Sequence, residues 1–160
     1  MTGRVFANIT LFHVLEHVPD PKSVLKICHS LLLPQGILTI AVPNEISSLR
    51  VCLRNLLMRT GLRKQRGVGR FGLPRISLGP DSTEVHLSHF TPSVLRRLLY
   101  RTGFSLVEET LDPYYVATGS SKLKADMYYY SCLVYFRVFR VSIYDAMLFI
   151  ARRETAPVKS

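Results

Sequence analysis

Residues 5–42 carry an apolar run, a helix-start signal and a second apolar run in close succession, and that order leaves few folds open. Val5 to Phe12 is short and mostly apolar, the pattern of a strand buried on both faces of a parallel sheet. Asp20 and Pro21 suit the N-cap and first position of a helix: the carboxylate accepts from free first-turn amides, and proline has no amide to leave unpaired. Val24, Leu25, Cys28, Leu31 and Leu32 then share one face at helical spacing, and Pro34 and Gly36 end the helix near Leu33. Ile37 to Val42 reads as a second buried strand, stopped by Pro43 and Asn44. Strand, helix and strand with short connections make a right-handed crossover, so the chain is expected to build an α/β sheet.

The remaining elements follow by the same rules. From Ile46, Leu49, Leu53, Leu56 and Leu57 line one side of a helix and Arg50 and Arg54 another, before a glycine-rich basic loop from Gly61 to about Pro80. Thr91 and Pro92 repeat the helix-start signal, Gly103 closes that helix, and Phe104 to Glu109 reads as a third strand. An aromatic helix from Ser121 to about Val141 and a last strand from Ala146 to Ala151 complete the order. The 160 residues, 48% hydrophobic, suffice for one globular unit. The apolar stretch from Met127 to Ala151 is interrupted by Arg137, Arg140 and Asp145, each costly at bilayer depth, and does not read as a span. Cys28, Cys52 and Cys132 are odd in number and lie far apart, which fits a reducing, cytoplasmic setting, and the opening MTGR does not read as a signal peptide.

The net charge of +10 is local. Residues 46–80 hold eight basic residues and no acidic one, against 13 basic and 11 acidic elsewhere. Whatever meets that segment is expected to be anionic: a small-molecule acceptor, anionic or lipid-like, or a membrane surface touched by residues 46–75. Nucleic acid is the weaker partner, because only Phe71 offers a stacking ring among the arginines.

FANITLFHVLEHVPDP, from Phe6 to Pro21, closely resembles the fourth strand and following loop of class I S-adenosylmethionine-dependent methyltransferases. LLLPQGILTIAVPN resembles that family's next helix end and fifth strand, HLSHFTPSVLRRLLYRTGFSLVEE the stretch before its sixth strand, and AMLFIARRE its seventh. The subgroup is similar to the small-molecule methyltransferases of ubiquinone and menaquinone synthesis. The resemblance implies a partial Rossmann-like sheet of strands equivalent to the family's fourth to seventh. Residues 1–153 would form the C-terminal portion of the domain, 46–80 a basic lid-like insert and 154–160 a disordered tail. It implies S-adenosylmethionine as cofactor, with Leu11, Phe12 and His13 against its methionine or ribose portion. The family's glycine-rich loop and acidic ribose-binding residue would lie upstream of Val5, so the full cofactor site is not expected within this chain. Gly67, Gly69 and Gly72 spell GxGxxG, but with no strand before them and Leu73 and Pro74 after, they do not read as that loop.

His86 and His89 stand where the resemblance puts the active-site rim, and an imidazole there could act as general base toward an oxygen or nitrogen acceptor. His13, Glu16 and His17 spell HxxEH, a zinc-hydrolase motif, yet Pro19 and Pro21 leave no long helix to hold two imidazoles one turn apart. They remain an alternative metal set, since the matching Glu, Glu and His of the ubiquinone subgroup are associated with a divalent cation. His13 in place of the first Glu weakens a magnesium site. The expected reaction is methyl transfer from S-adenosylmethionine to a small-molecule acceptor. The second expectation is a non-catalytic fragment or pseudoenzyme that associates with another chain through the exposed strand 5–12.

Overall fold

The computed structural model describes residues 4–60, 86–113 and 120–155. The glycine-rich basic loop with its GxGxxG string, and residues 156–160 of the expected tail, lie outside these. The elements in chain order are β1 (Phe6–Phe12), a 3-10 turn (Leu15–His17), α1 (Pro21–Leu31), β2 (Leu32–Pro43), α2 (Leu49–Arg59), α3 (Pro92–Arg101), β3 (Phe104–Leu111), α4 (Ser120–Phe139) and β4 (Ala146–Arg153).

The crossover expected at the N-terminus is present. β1 and β2 pair in parallel, β2 and β3 each pair antiparallel with β4, and the sheet order is β1-β2-β4-β3. Helix starts fall on the signals that mark them. Asp20 Oδ1 accepts from the Ser23 amide at 3.1 Å, and Thr91 Oγ1 from the Val94 amide at 3.4 Å. The hydrogen bonds from the Ser23 side chain and amide hold the Asp20 carboxyl below its ordinary range. Removing the second cap, by Thr91→Ala, is expected to lower stability by about 1 kcal/mol in urea denaturation with an unchanged m-value.

Two boundaries differ from the expectation. α1 stops at Leu31 and β2 begins at once, because the turn at Pro34 to Gly36 is absorbed as an irregularity inside the strand: Phe6 pairs with Leu32, but Asn8 pairs with Ile37. Gln35 takes a left-handed φ of 64° there, and a Cβ on Gly36 would stand 2.8 Å from the Leu33 carbonyl oxygen, so only glycine lets the two backbones approach. The second difference concerns burial. Most of β1 is exposed, not buried on both faces, since it pairs with β2 on one side and with no other strand among the described residues. Val5, Phe6 and Phe12 are exposed along it.

The main core lies between the sheet and helices α1 and α3. Leu25 and Cys28 of α1 and Leu95 and Leu99 of α3 pack on Leu38, Ile40 and Val42 of β2 and on Met147, Phe149 and Ala151 of β4. The alternation along β2 and β4 is what a sheet with one fully packed face requires. A smaller cluster seats α4, through Cys132 and Phe136, on Leu111, Tyr144 and Ala146. Burial and the nearby Asp145 push the Tyr128 and Tyr144 phenols up, the latter to about 12, so both remain neutral. α2 is tied to this cluster at its start: Arg50 pairs with Asp145 at 3.0 Å and lies over the Tyr128 ring. No residue of α2 is buried.

Candidate functional site

In open α/β sheets, ligands collect outside the carboxyl ends of the parallel strands, and this chain has a cleft there. It measures about 780 Å3 and is lined by Phe12 and His13 from the end of β1, Glu16 and His17 from the 3-10 turn, and Pro43, His86, Asp112 and Leu148 from elements distant in sequence. His13 is the hinge of this arrangement. Its amide still bonds to the Ala41 carbonyl at 2.9 Å, closing the β1–β2 ladder, while its φ of 52° turns the chain out of the strand. A left-handed non-glycine residue at a strand end is strained, and such strain concentrates at binding sites.

The side chains form two linked groups. His13 reaches Glu16 Oε1 with Nδ1 at 3.3 Å and Asp112 Oδ2 with Nε2 at 3.2 Å. Across the cleft, Glu45, two residues past β2, holds two imidazoles with one carboxylate: His86 Nδ1 lies 2.7 Å from Oε1, and His89 Nδ1 bonds to Oε2. The His17 and His86 rings meet edge-on with centroids 4.8 Å apart, which joins the groups. An ionised carboxylate only accepts, so both Nδ1 atoms must carry protons, and each Nε2 of the neutral rings is then left with its lone pair.

Of the residues singled out in the sequence, Phe12, His13, Glu16, His17 and His86 line the cleft. Leu11 does not; it points to the opposite side of β1 and packs against the main core. His89 stands beside Glu45. For the alternative metal set, the structure gathers Glu16, His17 and His86, with ligand atoms within 4.8 Å of one another, instead of gathering His13 with the first two. The turn carrying Glu16 and His17 is a 3-10 turn of three residues, too short for the geometry of a zinc hydrolase helix. Glu45 and Asp112 escaped the sequence reading. The signal for Glu45 was its isolation: it follows a buried strand end directly and no other acid occurs until Asp81.

The comparisons with known proteins agree with this frame. A family model for a methyltransferase domain matches residues 2–109. The chain belongs to the class I S-adenosylmethionine-dependent methyltransferases. It is 29% identical over 129 residues to a ubiquinone biosynthesis O-methyltransferase of Colwellia psychrerythraea, a match covering 79% of this chain and 46% of that protein. A SAM-dependent methyltransferase from Methanosarcina mazei shares the fold at a TM-score of 0.53 and 17% identity, over 98% of this chain and 64% of the other. The chain thus spans less than half the length of the curated relative. The shared fold is that of a Rossmann-like methyltransferase sheet, here with β4 running antiparallel between β2 and β3.

The cleft also fits part of the family's cofactor. Phe12 is 58% exposed at its mouth, a large apolar surface without cover, and Pro43 and Leu148 extend the apolar wall while Asp112 and His13 supply polar atoms. A wall of mixed character would suit the sulfonium-bearing methionine chain and ribose of S-adenosylmethionine.

Proposed function

We propose that this chain contributes the acceptor side and one cofactor wall of a methyltransferase that acts on a hydroxylated small molecule with an apolar portion. Phe12 and His13 would hold the cofactor, which supplies an activated methyl group when bound. His86 would take the proton of the acceptor hydroxyl on Nε2 as the oxygen gains its methyl group, and Glu45 would hold the ring in the tautomer that leaves this nitrogen basic. The observation that carries this reading is the Glu45 carboxylate bridging two histidines, one of them lining the cleft.

The acceptor class rests on α2. Leu49, Leu53 and Leu56 are exposed on it, with Arg50 and Arg59 also outward, so the first helix of the lid-like segment 46–80 offers an apolar face in a cationic setting. That suits a lipid-like or anionic acceptor, and membrane contact by residues 46–75 where the acceptor is drawn from a bilayer. The relative's name, a ubiquinone biosynthesis O-methyltransferase, points to the same kind of molecule: an oxygen on a ring carrying a lipid tail.

The test is transfer of label from methyl-labelled S-adenosylmethionine to polyprenylated catechols, alongside calorimetric titration with S-adenosylhomocysteine. Saturable binding with label in the lipid product is expected. Binding without transfer to any hydroxylated ring would refute the acceptor assignment. Absence of binding would favour a second reading, in which the exposed β1 edge, with Val5 and Phe6, pairs with another chain and this one is non-catalytic.

A divalent cation at Glu16, His17 and His86 is an alternative to the base, because His86 Nε2 cannot both hold a metal and take a proton, and one further observation favours it. Glu16 is 1% exposed; His13 Nδ1 lies 3.3 Å from its Oε1, and its Oε2 has no hydrogen-bond partner among the described residues, an arrangement that favours a cation. Two imidazoles and one carboxylate suit zinc better than magnesium. Calorimetric titration is expected to show zinc binding at least about tenfold tighter than magnesium, and Glu16→Gln to abolish it.

A further inference from the structure

Helix α4 is apolar on two opposite faces, and only one of them is used. Cys132 and Phe136 point into the smaller core, with Tyr128, Tyr129 and Leu133 packed beside them. On a helical wheel, Leu123, Met127, Tyr130, Val134 and Val138 fall within an arc of roughly 80° on the opposite side. These five are 61% to 66% exposed. An exposed apolar face of this extent ordinarily meets a partner.

The charges around the stripe indicate what that partner is. Lys124 lies on one margin of the arc and Arg137 on the other; Lys122 and Arg140 stand at the two ends, and Asp126 is the one acid on the helix. All four cations are exposed. A second copy of the chain is disfavoured in either orientation. Antiparallel helices would set Lys122 and Lys124 against Arg137 and Arg140, parallel helices would set each against itself, and each whole chain carries +10. An anionic partner meets no such repulsion. The stripe is a single convex helix about 30 Å long, with no groove to receive a side chain, and a bilayer surface is the one partner that demands no complementary shape. Tyr130, within the stripe, is an exposed ring of the kind that settles at the headgroup boundary. No helix of the described residues is long and apolar enough to cross a membrane. We infer that α4 lies flat on an anionic phospholipid bilayer, with this stripe in the acyl boundary and its lysines and arginines among the headgroups.

The inference does not rest on methyl transfer, and it concerns a different helix from the lid. Its test is flotation of the full chain with vesicles of phosphatidylcholine containing about 30% phosphatidylglycerol, and with phosphatidylcholine alone. Binding to the first and not the second is expected. Val134→Asp is expected to weaken it about tenfold or more, Lys122→Glu with Lys124→Glu about as much, and Leu53→Ser in α2 far less. If Val134→Asp does not fold by circular dichroism, the paired lysine variant decides. Failure of the wild-type chain to float, or unchanged flotation of the α4 variants, would overturn the inference. So would loss caused by Leu53→Ser alone, or a dimer in light scattering that Val134→Asp dissolves.

Discussion

Replacing His86 with alanine is expected to lower kcat for methyl transfer by about 10²- to 10⁴-fold, the range for loss of a positioned general base, with little change in KM for the cofactor. The expectation follows from Glu45. Oε1 of its carboxylate lies 2.7 Å from His86 Nδ1 and Oε2 binds His89 Nδ1, so one anion orders two rings and fixes their protons on the side away from the reaction. Glu45→Gln keeps the shape but offers only one acceptor oxygen, so one ring must release its tautomer. Its cost is expected at about tenfold in kcat, smaller than that of His86→Ala. Long-range proton–nitrogen NMR checks the cause independently of turnover. Both rings should show protonated Nδ1 and bare Nε2 when neutral in the wild-type chain, and a mixture in Glu45→Gln. Wild-type kcat in His86→Ala, or unaltered tautomers in Glu45→Gln, would remove the base from the scheme. A loss confined to acceptor KM would recast His86 as a binding residue.

What could be read from the sequence, and what could not, divides by distance along the chain. The starts of α1 and α3 were legible because Asp20 and Thr91 act within three residues of themselves. The β1–α1–β2 crossover was legible because turn chemistry and strand runs alternate within 38 residues. The insertion of β4 between β2 and β3 is a pairing of Ile40 with Phe149 and of Phe149 with Glu109, which no local period encodes. The same limit hid Glu45, whose partners are 41 and 44 residues away, and Asp112, which lies 99 residues from His13. His86 and His89 were visible as histidines on a rim, while the carboxylate that gives them a role was not. For α4 the helix was legible but its orientation was not, since a sequence with apolar residues on two opposite faces does not say which of them meets the core.

The second large effect is expected at Phe149, and it separates the two faces of the sheet. β4 is hydrogen-bonded on both sides, to β2 and to β3, and Phe149 sits in it fully buried within the main cluster. Its neighbours along the same face, Met147 and Ala151, are equally buried, so the strand cannot shift to close a void. Phe149→Ala should therefore cost about 3–5 kcal/mol, transfer energy and cavity together. A domain of this size is stable by about 5–15 kcal/mol, so the variant stands near the edge of folding. One residue on, Ile150 faces the other side and is only partly buried; Ile150→Val is expected to cost about 0.5–1 kcal/mol. Leu123→Ser on the outer stripe of α4, as apolar in sequence as either, should stay within about 0.5 kcal/mol of wild type. Urea midpoints at constant m-value measure all three. Comparable losses at Phe149 and Ile150 would mean that the second face of the sheet is as tightly packed as the first. A large loss at Leu123 would mean that the stripe is already covered by the chain itself, and would leave nothing there for a membrane to meet.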